Sequence, residues 1–78
     1  MVIILANRNW PKGVSVDVTV GGAPYVSRKR LEFNQTIRIA WNHHAIAYRR
    51  DLEPDRPDGR MTTWISLPMV DEEHLVAV

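Results

Sequence analysis

Residues 36–50, TIRIAWNHHAIAYRR, predict the centre of the fold. We expect one β-hairpin that turns at Asn42 and His43, because Asn tolerates the left-handed backbone of a tight turn. His is less favourable than Gly in the second turn position, so the turn type stays open. Side chains alternate between the faces of a strand, and this register puts mostly large apolar side chains on one face. The expected cross-strand pairs on that face are Trp41 with His44, Ile39 with Ile46, and Ile37 with Tyr48.

Length and composition predict one small domain spanning residues 1–78. A hydrophobic content of 45% argues against disorder. The chain has no cysteine, which excludes disulfides and thiolate chemistry and fits a reducing compartment. The apolar run at residues 1–6 is too short for a signal-peptide core or a membrane span. We therefore expect a soluble, cytoplasmic protein that does not bind membranes.

Further strands are predicted on both sides of the hairpin. Residues 14–20, VSVDVTV, alternate strictly and predict a strand with its valines facing inward. Gly21-Gly22 predicts a hairpin turn, because glycine accepts positive φ without penalty. A third strand over residues 25–33 and a turn at 34–36 would set Leu31 opposite Ile39. Shorter strands are expected at residues 1–6, 61–67 and 75–78. The continuous apolar run at 1–6 predicts that the first of them is fully buried.

These patterns predict an all-β fold of about six to seven short strands. No convincing amphipathic helix interrupts them. Strands joined in this way form a small antiparallel barrel or a sandwich. Because neighbours in sequence most often pair, we expect a meander through the second to fifth strands.

No pattern in the chain predicts catalysis. His43 and His44 are adjacent, so on a strand they point to opposite faces, and His74 has no ligand spacing to either. Zinc needs three or four converging ligands. The acidic residues between 51 and 60 lie among arginines and prolines, which favours a solvated turn over a calcium or acid–base site. We expect no enzyme activity, no catalytic residue, no metal and no cofactor.

Charge is distributed unevenly along the chain. Residues 1–50 hold eight basic and two acidic side chains, whereas residues 51–78 hold two basic and seven acidic ones. Alternation predicts a flat basic patch on the outer face of the third to fifth strands, with Glu32 opposite Arg38. The predicted patch comprises Arg28, Arg30, Arg38, Ala40, Ala45, Ala47 and Arg49. Trp10, in the loop at residues 7–13, is either a lid over one end of the core or a surface aromatic for a partner.

Two functions follow from this patch, and a third interpretation competes with both. The first is an interaction module of the accessory, assembly or inhibitor type, which binds a protein partner or a sister subunit. Its acidic end (Asp71, Glu72, Glu73) could then dock on the basic body of a second copy. The alternative is a small-barrel nucleic-acid-binding protein in which arginines contact phosphates and aromatic side chains stack on bases. A net charge of +1 is low for that class. The third interpretation is a face that charge merely keeps soluble.

Overall fold

The computed structural model describes residues 2–40, 44–68 and 72–78, which form seven strands and no helix. This confirms the predicted all-β class and the predicted number of strands. The strands are β1 (Val2–Ala6), β2 (Val14–Val20), β3 (Ala23–Leu31), β4 (Thr36–Ala40), β5 (Ile46–Asp51), β6 (Ile65–Ser66) and β7 (His74–Ala77).

The strands form two sheets. Sheet A has the order β4-β1-β7, with β1 antiparallel to β4 and parallel to β7. Sheet B has the order β3-β2-β5-β6, and every pair in it is antiparallel. Among the described strands, no ladder of hydrogen bonds joins one sheet to the other. The parallel pair is a feature that the sequence pattern did not indicate.

The hairpin predicted for residues 36–50 is wrong. Ile39 lies opposite Ile3 in sheet A, and Ile46 lies opposite Val20 in sheet B. The predicted facing is nevertheless correct, since Ile37, Ile39, Ile46 and Tyr48 are all buried. Alternation shows which face of a strand is buried, but it does not show which strand lies alongside. The proposed turn at Asn42 and His43, and the pair of Trp41 with His44, lie outside the described residues.

The predicted meander holds only for β2 and β3. Their hairpin turns at Gly21 and Gly22, both with positive φ as predicted. The predicted pairing of the third strand with the fourth is wrong, because Leu31 lies opposite Val14 and not Ile39. The predicted position of Glu32 opposite Arg38 is wrong for the same reason, because Arg38 lies opposite Ile4.

Strands at the two ends of the chain also differ from expectation. β1 is not fully buried: Ile3 and Leu5 are, but Val2 and Ile4 are half-buried. The strand expected at residues 61–67 is reduced to the two residues of β6, although Thr62 N–H still donates to the Arg50 carbonyl at 2.8 Å. The strand expected at 75–78 is β7, shifted by one residue.

Both sheets contribute to one hydrophobic core. The three inward valines of β2 that are fully buried confirm the alternation read from the sequence. The core comprises Ile3, Leu5, Val14, Val16, Val18, Leu31, Ile37, Ile39, Ile46, Tyr48 and Val78.

Asn7 is fully buried where β1 ends, and its hydrogen bonds link the two sheets. Its side-chain Nδ2 donates to the carbonyls of Trp10 and Leu31, both at 2.9 Å, and its Oδ1 accepts from Trp10 N–H at 2.9 Å. Its main chain donates to Gln35 O at 3.0 Å and accepts from Asn34 N–H at 2.7 Å. One side chain thus joins the end of β1 to the loop that follows it and to the end of β3.

We expect Asn7→Leu to lower the free energy of unfolding by about 2–4 kcal/mol, because buried main-chain groups of Trp10 and Leu31 lose their partners. Urea denaturation followed by tryptophan fluorescence measures the change. Asn9→Leu is the matched control. Asn9 is exposed and makes one 3.2 Å bond to Val78 O, so its loss should stay under about 1 kcal/mol. Equal losses for the two variants would contradict the role given to Asn7.

Candidate interaction surface

The structure divides the predicted basic patch between the two sheets. Arg38 and Ala40 lie on β4 in sheet A. The other members belong to β3 or β5 in sheet B, or directly precede β5, and β2 lies between those strands. Those members are Arg28, Arg30, Ala45, Ala47 and Arg49. A single continuous face of all seven residues is therefore not formed.

The three predicted patch arginines of sheet B contact carboxylates. Arg49 Nε lies 2.9 Å from Asp17 Oδ2, and its guanidinium sits 4.5 Å from the centre of the Trp64 ring. Arg28 Nη1 lies 3.5 Å from Asp51 Oδ2. Register explains the first pair, because Asp17 and Arg49 are directly opposite on β2 and β5. Much of the positive charge predicted for this face is balanced within the chain.

Arg30 is the most extensively bonded of these side chains. It forms ion pairs with Glu32 and, at 2.6 Å, with Asp55, and it donates to Lys12 O at 3.0 Å. Hydrogen bonds to Asp55 and then to Glu32 raise the pKa of Arg30 above its ordinary value. The guanidinium connects the 10–13 loop, the end of β3 and the 52–60 loop, which is a structural role.

Asp51 was not recognised from the sequence as a buried residue. It is only 2% exposed, and its Oδ1 accepts from Glu53 N–H at 2.9 Å. A Cβ added at Gly59 would overlap Asp51 Oδ2, so the loop closes tightly over this carboxylate. An adjoining cavity of about 370 Å³ is lined by residues of both charges, including Arg56 and Asp58. Residues 51–60 were predicted to be a solvated turn, which describes the loop but not its first residue.

Metal-binding side chains do not converge within residues 2–40, 44–68 and 72–78: no group of three or more His, Cys, Asp or Glu there could hold an ion.

Trp10 is half-buried and packs against the core. Its indole Nε1–H donates to Val78 O at 2.7 Å, and Val78 N–H donates to Ala6 O at 3.0 Å. These bonds fasten the residue after β7 to the end of β1. A cavity of about 270 Å³ lies beside Trp10, lined also by Pro11 and Leu52. The geometry favours the lid over the surface aromatic.

An open apolar surface in the described part of the chain is the side of sheet A that faces away from the core. Register and alternation bring its side chains into rows across β4, β1 and β7. Arg38, Ile4 and Leu75 share one row, and Leu75 is 48% exposed. We call this surface the sheet A outer face and define it by its exposed and half-buried members. These are Val2, Ile4, Thr36, Arg38, Ala40, Leu75 and Ala77.

Its composition is unusual for a sheet face exposed to water. A single exposed leucine means little, since folded proteins expose much apolar surface. Here five of seven side chains are apolar and contiguous across three strands, and contiguous patches mark interaction sites. The signal was present in the sequence as the unbroken apolar run at residues 1–6. The run predicts burial on both faces, whereas on the outer side Ala6 is fully buried and Val2 and Ile4 are only half-buried.

Leu75→Ala should cost less than about 1 kcal/mol of unfolding free energy in dilute solution, because the side chain supports no core. Leu5→Ala is the matched control: the same atoms are removed from a fully buried position on the neighbouring strand, at a cost of about 2–5 kcal/mol. Urea denaturation at low protein concentration compares the two. A loss from Leu75→Ala as large as that from Leu5→Ala would show that the face is part of the core.

Neither the models of known families, nor the curated proteins, nor the solved structures include a match to this chain. The part of the chain that the structure describes contains no helix, and therefore no helix long and apolar enough to cross a membrane.

Proposed function

We propose that this chain is a non-enzymatic interaction module of the accessory, assembly or inhibitor type, which binds a protein through the sheet A outer face. The observation that carries the proposal is an apolar sheet face that the described chain leaves open. We also propose that the two sheets form a sandwich, because both contribute to one core. The lack of cysteine supports a reducing location such as the cytoplasm.

The character of β1 supports a partner on this face. Strands covered on both sides are continuously apolar, whereas strands with one solvated side alternate apolar and polar residues. β1 reads VIILA, the pattern of a strand covered on both sides, but Val2 and Ile4 are only half-buried within the described residues. A bound protein would supply the missing layer.

The remaining residues of the face suit protein contact. Ala40 and Ala77 are small and exposed, so a partner's backbone could approach closely. Arg38 is exposed and forms no ion pair within the described ranges. Arginine is enriched in protein interfaces, where its long apolar stem packs and its head pairs with acids.

The alternative, nucleic-acid binding by the arginines of sheet B, has weaker support. A phosphate would have to compete with Asp17 for Arg49 and with two carboxylates for Arg30. The exposed Trp64 ring already carries the Arg49 guanidinium on one face. Such pairing reduces the free positive charge that drives nucleic-acid affinity.

Two lysine substitutions separate the two functions, because they change charge equally at different places. Leu75→Lys alters the sheet A outer face, and Thr63→Lys alters an exposed residue beside sheet B. In affinity capture from nuclease-treated extract of the native cell, we expect Leu75→Lys to lose protein bound by the wild type and Thr63→Lys to retain it. Far-UV circular dichroism establishes that both variants fold.

Binding to single-stranded DNA and RNA is measured in parallel across a salt series. We expect no tight, steeply salt-dependent binding by the wild type or either variant. Strong retention that weakens as salt rises, with captured proteins lost after nuclease treatment, would replace the proposal with the nucleic-acid alternative.

A further inference from the structure

We infer that the occupant of the sheet A outer face is a second copy of this chain, packed face to face about a twofold axis parallel to the strands. This inference rests on the proposed function and names its partner. It is carried by the charges at the two edges of the face: a positive group on β4, and a negative group in the residue that directly precedes β7.

The positive group is Arg38, on the edge strand β4. The negative group is Glu73, which is exposed and directly precedes the opposite edge strand β7. Alternation puts Glu73 on the same side as Leu75, two residues later. Extending the β1–β7 register by one residue places Glu73 level with Val2 and Ala40, in the row next to Arg38 on the face.

Charge selects one of two ways to stack this face on a copy of itself. With the twofold axis across the strands, β4 lies over β4 and Arg38 meets the same arginine of the other copy, which is repulsive. With the axis parallel to the strands and over β1, β4 of each copy lies over β7 of the other. Arg38 then approaches Leu75 and Glu73 of the second copy, twice by symmetry.

The distances suit such reciprocal ion pairs. Packed sheets lie about 10 Å apart, and two residues advance about 7 Å along a strand. Arg38 and Glu73 of the opposing copy would therefore have Cα atoms roughly 12 Å apart, within the combined reach of an arginine and a glutamate. Between them, Ile4 and Val2 of the two copies would form the apolar centre of the interface.

The size of the face predicts a weak and reversible dimer. Two strands of five residues and one of four cover about 14 by 17 Å, so stacking two copies buries well under about 1,200 Å², the range of transient complexes. Self-association is therefore expected at high micromolar concentration, and the search for it must extend to that range.

Sedimentation velocity over a concentration series up to about 1 mM tests the inference on the full chain, with the dissociation constant as readout. We expect Arg38→Glu and Glu73→Arg each to raise that constant about tenfold or more, because each creates two like-charge contacts. The double variant Arg38→Glu/Glu73→Arg reverses both charges and should restore it to within about threefold. Lys29→Glu, an exposed basic residue of sheet B with the same charge change as Arg38→Glu, should leave it unchanged.

The inference is overturned if the wild type is monomeric at every concentration. It is also overturned if the double variant self-associates as weakly as the two single variants. In either case, loss of captured protein by Leu75→Lys would still uphold the proposed function and assign the face to a different protein. The capture experiment could show no protein lost by Leu75→Lys while the double variant Arg38→Glu/Glu73→Arg restores the dissociation constant. Self-association would then be the whole function of the face.

Discussion

The buried amide of Asn7 is the contact on which the arrangement of the two sheets depends. Its three hydrogen bonds reach Trp10 and Leu31, and the main chain of Asn7 makes two more with Asn34 and Gln35. A fully buried polar side chain is costly unless its partners are complete, and those of Asn7 are. The same end of the molecule is closed by the Trp10 indole on Val78, which fastens the parallel strand β7 against β1.

The two sheets differ in how they treat their outer faces. On sheet B, acids stand opposite or beside arginines, and Asp51 is enclosed by its own loop. Three arginines of sheet B are thus paired with carboxylates within the chain. On sheet A, the outer face is apolar and carries one exposed arginine without an ion pair in the described ranges. This contrast favours the sheet A outer face over the predicted basic patch as the interaction surface.

Among the residues proposed from the sequence to form a binding surface, Arg38 and Ala40 belong to the face now favoured. Arg28, Arg30 and Arg49 lie in the other sheet, because the chain crosses from sheet B to sheet A after β3 and returns to sheet B after β4. Alternation had correctly placed Arg38 and Arg49 outward, but the two strands that carry them lie in different sheets. The apolar run of β1 held the missing information, and its uncovered side could be recognised only once its neighbours were known.

Alternation, turn residues and composition thus determined by themselves the all-β class, the approximate strands, the β2–β3 hairpin at Gly21-Gly22 and the inward side chains of β4 and β5. These are local properties, because a two-residue period and the φ freedom of glycine act within a few residues of the chain. Only the tertiary structure decided that β4 pairs with β1, that β5 pairs with β2, and that β7 runs parallel to β1. Strand pairing joins residues far apart in sequence, and the same alternating pattern fits a neighbour in the sheet as well as a strand across the core.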